Sequence, residues 1–212
     1  MRTCGTLLLS AFVAIPAIAA QQVIDRVVAR VEGDVILLSE VRALSKYQHL
    51  VDGKSESEAR ILDRLIDQWI VRSEADTARF PHPTEAEITR GMEQVQSAFA
   101  SPEEYLERRK QCGLGDADVR NIVSAQLYLT DYLDSRFRSS VHVDQKQIED
   151  FYQTAVVARA KARNQEPPSL EASREYIRQA LVRRDINEQS ERWLTESRAR
   201  LHVEKFLAEG AK

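Results

Sequence analysis

"QQVIDRVVARVEGDVILLSE", residues 21–40, decides how the rest of the chain is read. β-Branched residues crowd its first half, a turn is signalled at Glu32-Gly33-Asp34, and the apolar run Val35-Ile36-Leu37-Leu38 follows. Ser39 then stands where it can cap a helix. The pattern predicts a strand, a tight turn, a second strand and a helix start. A lone hairpin is marginally stable in water, and an open strand edge templates pairing with other chains. The segment therefore needs a partner elsewhere in the chain.

Almost everything after it has helical period. Ser39 to about Leu50 reads as a first helix, closed by the turn Asp52-Gly53-Lys54. A second, from about Ser55 to Ala78, sets Leu62, Leu65, Ile66, Trp69 and Ile70 along one stripe. Two prolines in "FPHPTEAE" break the pattern. Thr84 and Glu87 then form a capping box for a helix that buries Ile88, Met92, Val95 and Phe99. In "SPEE", Ser101 caps, Pro102 suits the first helical position and Glu104 completes the box; Gly113 should end that helix in a left-handed cap with Leu114 behind it. A longer helix runs from Asp116 to about Phe137, and Asp144 caps another through roughly Arg163. After "NQEPPS", the last helix covers about Leu170 to Ala199, apolar at Tyr176, Ile177, Ala180 and Leu181 and again at Trp193 and Leu194.

The period changes once more in "RLHVEKF". Leu201 and Val203 alternate with His202 and Glu204, the pattern of a half-buried strand; a frayed helix end is the alternative. This is the best β candidate left to pair with the opening segment. The expected fold class is mostly α, a helical body with a small antiparallel β element made by the N-terminal and C-terminal strands. Were the pairing to fail, the open edge would invite strand exchange between two copies, a homodimer.

Residues 1–20 have the make-up of a secretory signal peptide: Arg2, an apolar stretch from Leu7 to Ile15 too short to span a bilayer, and Ala17-Ile18-Ala19-Ala20 as a cleavage site. A retained membrane anchor is the alternative. Cleavage would remove Cys4 and leave Cys112 alone, so an exported chain would owe its stability to packing, not to an internal disulfide. The formal charge of the 212-residue chain is -3, with Lys and Arg interleaved among acids. That is how solvated helix faces look, and it argues against nucleic acid as a partner. No second apolar run is long enough to cross a membrane, so no stable insertion is expected after cleavage.

The opening "VIDRVVARVEGDVILLSEV" resembles the start of SurA-type periplasmic chaperones. The likeness continues through "ILDRLIDQWIV", "PTEAEI", "SPEEYLERR", "VRNIVSAQLYLTDYL" and "VHVDQKQIEDFY". It covers roughly residues 23–152, and more loosely 170–207; the order of the elements carries it. The resemblance implies a helical chaperone domain at 21–152, a linker at 153–169, and a C-terminal helix and strand at 170–212 packing back on the core. Fuller members of that family insert parvulin-type prolyl isomerase domains at the linker. Here seventeen residues, 153 to 169, stand in that place. So few cannot build a packed domain. The resemblance thus implies a chaperone core without isomerase activity.

No constellation of residues suggests another chemistry. His49, His82, His142 and His202 are not spaced as metal ligands, and there is no HExxH, CxxC, GxSxG or glycine-rich phosphate loop. No cofactor, nucleotide or metal is expected. A binding function has one physical candidate. On the helix 116–137, Val119, Ile122, Leu129, Leu133 and Phe137 gather on one side, and Tyr128 and Tyr132 stack on another flank. Either this helix is central and packed on two sides, or the two tyrosines face a groove for unfolded chains. Tyrosine suits the second role through its flat apolar face and polar tip. Trp69 and Phe99 are the further candidates to line that groove, although their stripe positions equally suit the core. The expected function is a periplasmic, ATP-independent holdase for unfolded exported polypeptides, outer-membrane proteins among them. The alternative is a non-catalytic scaffold or accessory subunit of a cell-envelope complex.

Overall fold

A computed structural model describes residues 25–207. The expected signal peptide lies outside the described residues. The opening stretch forms strands β1 (Val27–Val31) and β2 (Asp34–Leu37), paired antiparallel. A bulge between Val27 and Ala29 turns two successive residues, Val28 and Ala29, into the core, where both are fully buried. The turn is unusual in placing Glu32, not Gly33, in the left-handed region, at φ 55°. Two bonds to the chain's far end hold it there. The Glu32 N–H donates to the His202 carbonyl (3.0 Å), and the Glu32 carboxylate accepts from the His202 N–H (2.9 Å).

His202 leads into β3 (Val203–Lys205), which pairs antiparallel with β1 in the register Ala29↔Lys205, Arg30↔Glu204 and Val31↔Val203. The three-stranded sheet has the order β2-β1-β3, so the two ends of the described chain close on one another. Leu201 and Val203 are half-buried against the main core and His202 is exposed, as the alternation predicts. Phe206 departs from it: its N–H donates to the Val28 carbonyl, but its ring is half exposed.

The rest is mostly α-helical. Helix α1 (Leu38–Asp52) follows β2 with no loop between them, so Ser39 already lies in the first turn and is not the cap. Its orphan N–H is met instead by the Asp25 carboxylate at 3.2 Å, and its hydroxyl bonds the same carboxylate. Glu40 accepts the Leu37 N–H at 2.7 Å. Helix α2 (Glu58–Thr77) starts later than the sequence suggests, capped by Ser57. The stretch before it is held extended by Glu56, which binds Gln48 and Arg64. These two bonds draw the Glu56 pKa down to about 2.

Helices α3 (Glu85–Ser97) and α4 (Pro102–Gln111) begin at the Thr84 and Ser101 caps, as expected. In the second, Glu104 reaches the N–H of Ala100 in place of that of Ser101. Gly113 closes α4 at φ 62°, with Leu114 buried behind it. Helix α5 (Asp116–Phe137) is central, packing against α1, α2 and α3. Its approach to α3 is close: a Cβ at Gly91 would lie 2.7 Å from Val123 Cγ1.

Asp144 caps α6 (Gln145–Phe151), which passes through a π-helical turn (Tyr152–Val157) into α7 (Ala158–Ala162). The linker expected at 153–169 is thus helical over its first part, where Tyr152 and Val156 pack against the Ile148, Ile177 and Leu181 cluster and Ala160 is buried. Helix α8 (Leu170–Arg200) then runs back from α6 to α2 and α5. Its first half forms a second cluster, in which Ile177 and Leu181 meet Ile148 of α6. That contact is narrow, and Tyr176, read from the sequence as part of the stripe, is 68% exposed. Its second half packs on α2 and α5. No helix among the described residues is long and apolar enough to cross a membrane.

Candidate functional site

Where α8 crosses α2 and α5, the three helices leave a row of adjoining hollows. The middle one, about 280 Å³, is floored by Val71 of α2, Leu129 and Leu133 of α5, and Leu194 of α8. Arg64, Gln68, Gln126 and Thr130 stand around it. On one side it shares Gln68 and Leu129 with a hollow of about 260 Å³ that reaches Asp76 and His82. On the other it shares Asp67 and Leu194 with one of about 590 Å³ lined by Glu191 and Arg198. The result is a cleft with an apolar floor and polar edges.

Helical geometry supplies that floor. Leu129 and Leu133 are one turn apart and half-buried, so they present a continuous apolar strip to the cleft. Tyr128 and Tyr132, each rotated about 100° from its leucine neighbour, point into the core beside Val71 and Ala75. Tyr128 is 4% exposed. Its hydroxyl donates to Asp76 at 2.7 Å, and its ring stacks on His82 with centroids 4.3 Å apart. Burial, reinforced by the bond to Asp76, pushes its pKa up to about 12. Tyr132 meets Phe80 edge to face, and its hydroxyl accepts from Arg136 at 3.0 Å.

The four residues singled out in the sequence are not brought together. Only Tyr128 reaches the cleft, as part of the wall near His82. Trp69 is half-buried, and its indole N–H donates to Asp34 at 2.8 Å, fastening α2 to the hairpin. Phe99 lies beyond the end of α3, edge-on to Tyr105 and under the guanidinium of Arg108. The strip Leu129–Leu133 was legible as an apolar flank. Its openness was not, because that depends on how α8 crosses.

Two charged groups in the cleft have an altered environment: the bond to Glu56 raises the pKa of Arg64, and Asp67 is the second. Burial raises the pKa of Asp67, against the pull of Arg198, whose guanidinium donates to it at 2.6 Å. Arg198 also donates to the Asp63 carbonyl, and Lys205 pairs with the Asp63 carboxylate at 2.5 Å. These contacts clamp α8 and β3 onto α2 at one end of the cleft. Among the described residues, no three His, Cys, Asp or Glu side chains are grouped to hold a metal ion.

No protein-family model matches the chain, and no curated protein matches it.

Proposed function

We propose that this chain is an ATP-independent holdase of the SurA type, which binds unfolded exported polypeptides in the periplasm and carries no prolyl isomerase. The observation that carries the reading is the apolar-floored, polar-edged cleft between α2, α5 and α8. An extended client places alternate side chains on one face. Every second apolar residue could therefore sit on Val71, Leu129, Leu133 and Leu194. The amides of Gln68 and Gln126 each offer a donor and an acceptor, so they suit a client backbone running in either direction. Contacts of this kind recognise apolar content without a defined sequence, and release needs only that the client fold elsewhere. The order of elements supports the same reading: a bulged strand, a tight turn and a helix at the start, with a helix and strand returning at the end. So does the connection 163–169, too short for a further packed domain.

The test is light scattering of an unrelated protein diluted from denaturant. The chain should slow its aggregation in a dose-dependent way, and Leu129→Ser with Leu133→Ser should abolish most of that effect. No slowing at any ratio would overturn the proposal. Recovery from the cell envelope in fixed proportion with one protein would instead favour an accessory subunit.

A further inference from the structure

A second hollow lies far along α8, in the arm built from α6, α7 and the first half of α8. Its volume is about 590 Å³, within the range of pockets that bury small ligands. Phe151, Val156 and Ala160 form its apolar side. The wall at Ala155 and Val156 belongs to the π-helical turn, a backbone irregularity that is frequent at binding sites. Tyr176 stands at the rim, the most exposed large apolar side chain of the described chain.

Two features say what this hollow is suited to receive. Arg159 and Arg163 are one helical turn apart on its edge, both exposed, and neither has a carboxylate partner among the described residues. Most of the neighbouring arginines are paired: Arg174 with Glu171, Arg178 with Glu175, and Arg184 with Asp185. Among the described residues Glu166 is the sole acid of the lining, so the hollow keeps a net positive edge. The second feature is Ser173, which lines the hollow, is 6% exposed, and makes no side-chain hydrogen bond within the described residues. Its hydroxyl opens onto the hollow and is free to donate to a polar group that enters.

We propose that this hollow is a second binding site, for an extended peptide carrying an aromatic residue flanked by aspartate or glutamate. The aromatic ring enters between Phe151, Val156 and Tyr176. The acidic side chains meet Arg159 and Arg163, and a backbone or carboxylate oxygen accepts from Ser173. The site shares no residue with the cleft between α2, α5 and α8, and the proposal does not depend on what binds there.

Fluorescence anisotropy with a short labelled peptide of alternating phenylalanine and glutamate tests it. That peptide should bind saturably at low salt, and binding should weaken as salt is raised. Versions with lysine for glutamate, or alanine for phenylalanine, should not bind. The double variant Arg159→Gln with Arg163→Gln should weaken binding by about tenfold, the scale expected for losing two largely exposed ion pairs. Tyr176→Ala should also weaken it, and Glu166→Gln should strengthen it. These side chains are exposed, so the melting temperatures should stay unchanged. Leu129→Ser with Leu133→Ser should leave peptide affinity as it is, so a failed aggregation assay counts against the holdase reading alone. Equal binding of the lysine peptide, or an unchanged affinity in the double arginine variant, would overturn the proposal.

Discussion

Replacing Tyr128 by alanine should weaken the fold before it tells anything about clients. The ring is 4% exposed and lies among Val71, Ala75, Phe80 and Tyr132, with His82 stacked on its face. Truncating a buried aromatic costs about 3–5 kcal/mol. The variant also loses the hydroxyl bond to Asp76, whose carboxylate is exposed and can turn to water, adding little. A domain of this size holds about 5–15 kcal/mol, and each kcal/mol moves its melting temperature by about 2–4 °C. Tyr128→Ala should therefore melt about 10 °C lower, and adding Tyr132→Ala should leave little folded protein. The neighbouring Leu129 is only half-buried, so Leu129→Ser should cost about 1–2 kcal/mol, less than a fully buried leucine. Urea unfolding followed by circular dichroism measures both variants, and aggregation assays are then compared per folded molecule. If Tyr128→Ala keeps its unfolding midpoint yet loses client protection, the tyrosine flank is a binding surface and the reasoning fails.

Three further outcomes are expected. Leu201→Lys should lower the urea midpoint by about 1–2 kcal/mol of stability, because the side chain is half-buried beside β1, whereas His202→Lys, on the exposed side, should be nearly silent. Equal effects would show that β3 does not close the sheet as described. Tyr105→Phe should hold or raise the melting temperature, because the Tyr105 hydroxyl is buried with no hydrogen-bond partner among the described residues; a fall of several degrees would reveal a bond that the fold does not show. Glu56 has its pKa lowered from 4.5 to about 2 by Arg64 and Gln48, so its contribution is present above pH 4.5 and is lost as pH falls through 2. Glu56→Gln should therefore melt lower than the parent at neutral pH, with the gap shrinking below pH 4.5. A gap that stays constant down to pH 2 would contradict the assignment.

Which parts of this architecture were legible in the chain follows from the range of the forces involved. Thr84 with Glu87, Ser101 with Pro102, and Gly113 with Leu114 mark helix ends through contacts a few residues long, and the structure places those ends there. The alternation at Leu201 to Glu204 named a strand, and the need of the opening hairpin for a partner named what it pairs with. The Ser39 cap was misread because the same local signal fits any serine before an apolar run. Asp25, fourteen residues earlier, takes the first-turn N–H once β2 leads straight into α1. The helical stretch of 153–162 and the exposure of Tyr176 turned on how α6, α7 and α8 meet.

The decisive case is α5. Its sequence alone determined a long helix with two apolar flanks, since hydrophobic period is written residue by residue. Which flank is covered the sequence leaves open, because an apolar face states only that burial is favourable and does not name the neighbour. Tertiary structure decided it through Phe80, whose ring packs on both tyrosines, with Val71 and Ala75 of α2 in the same cluster. It did so again through the crossing of α8, which leaves Leu129 and Leu133 lining a cleft between helices distant in the sequence.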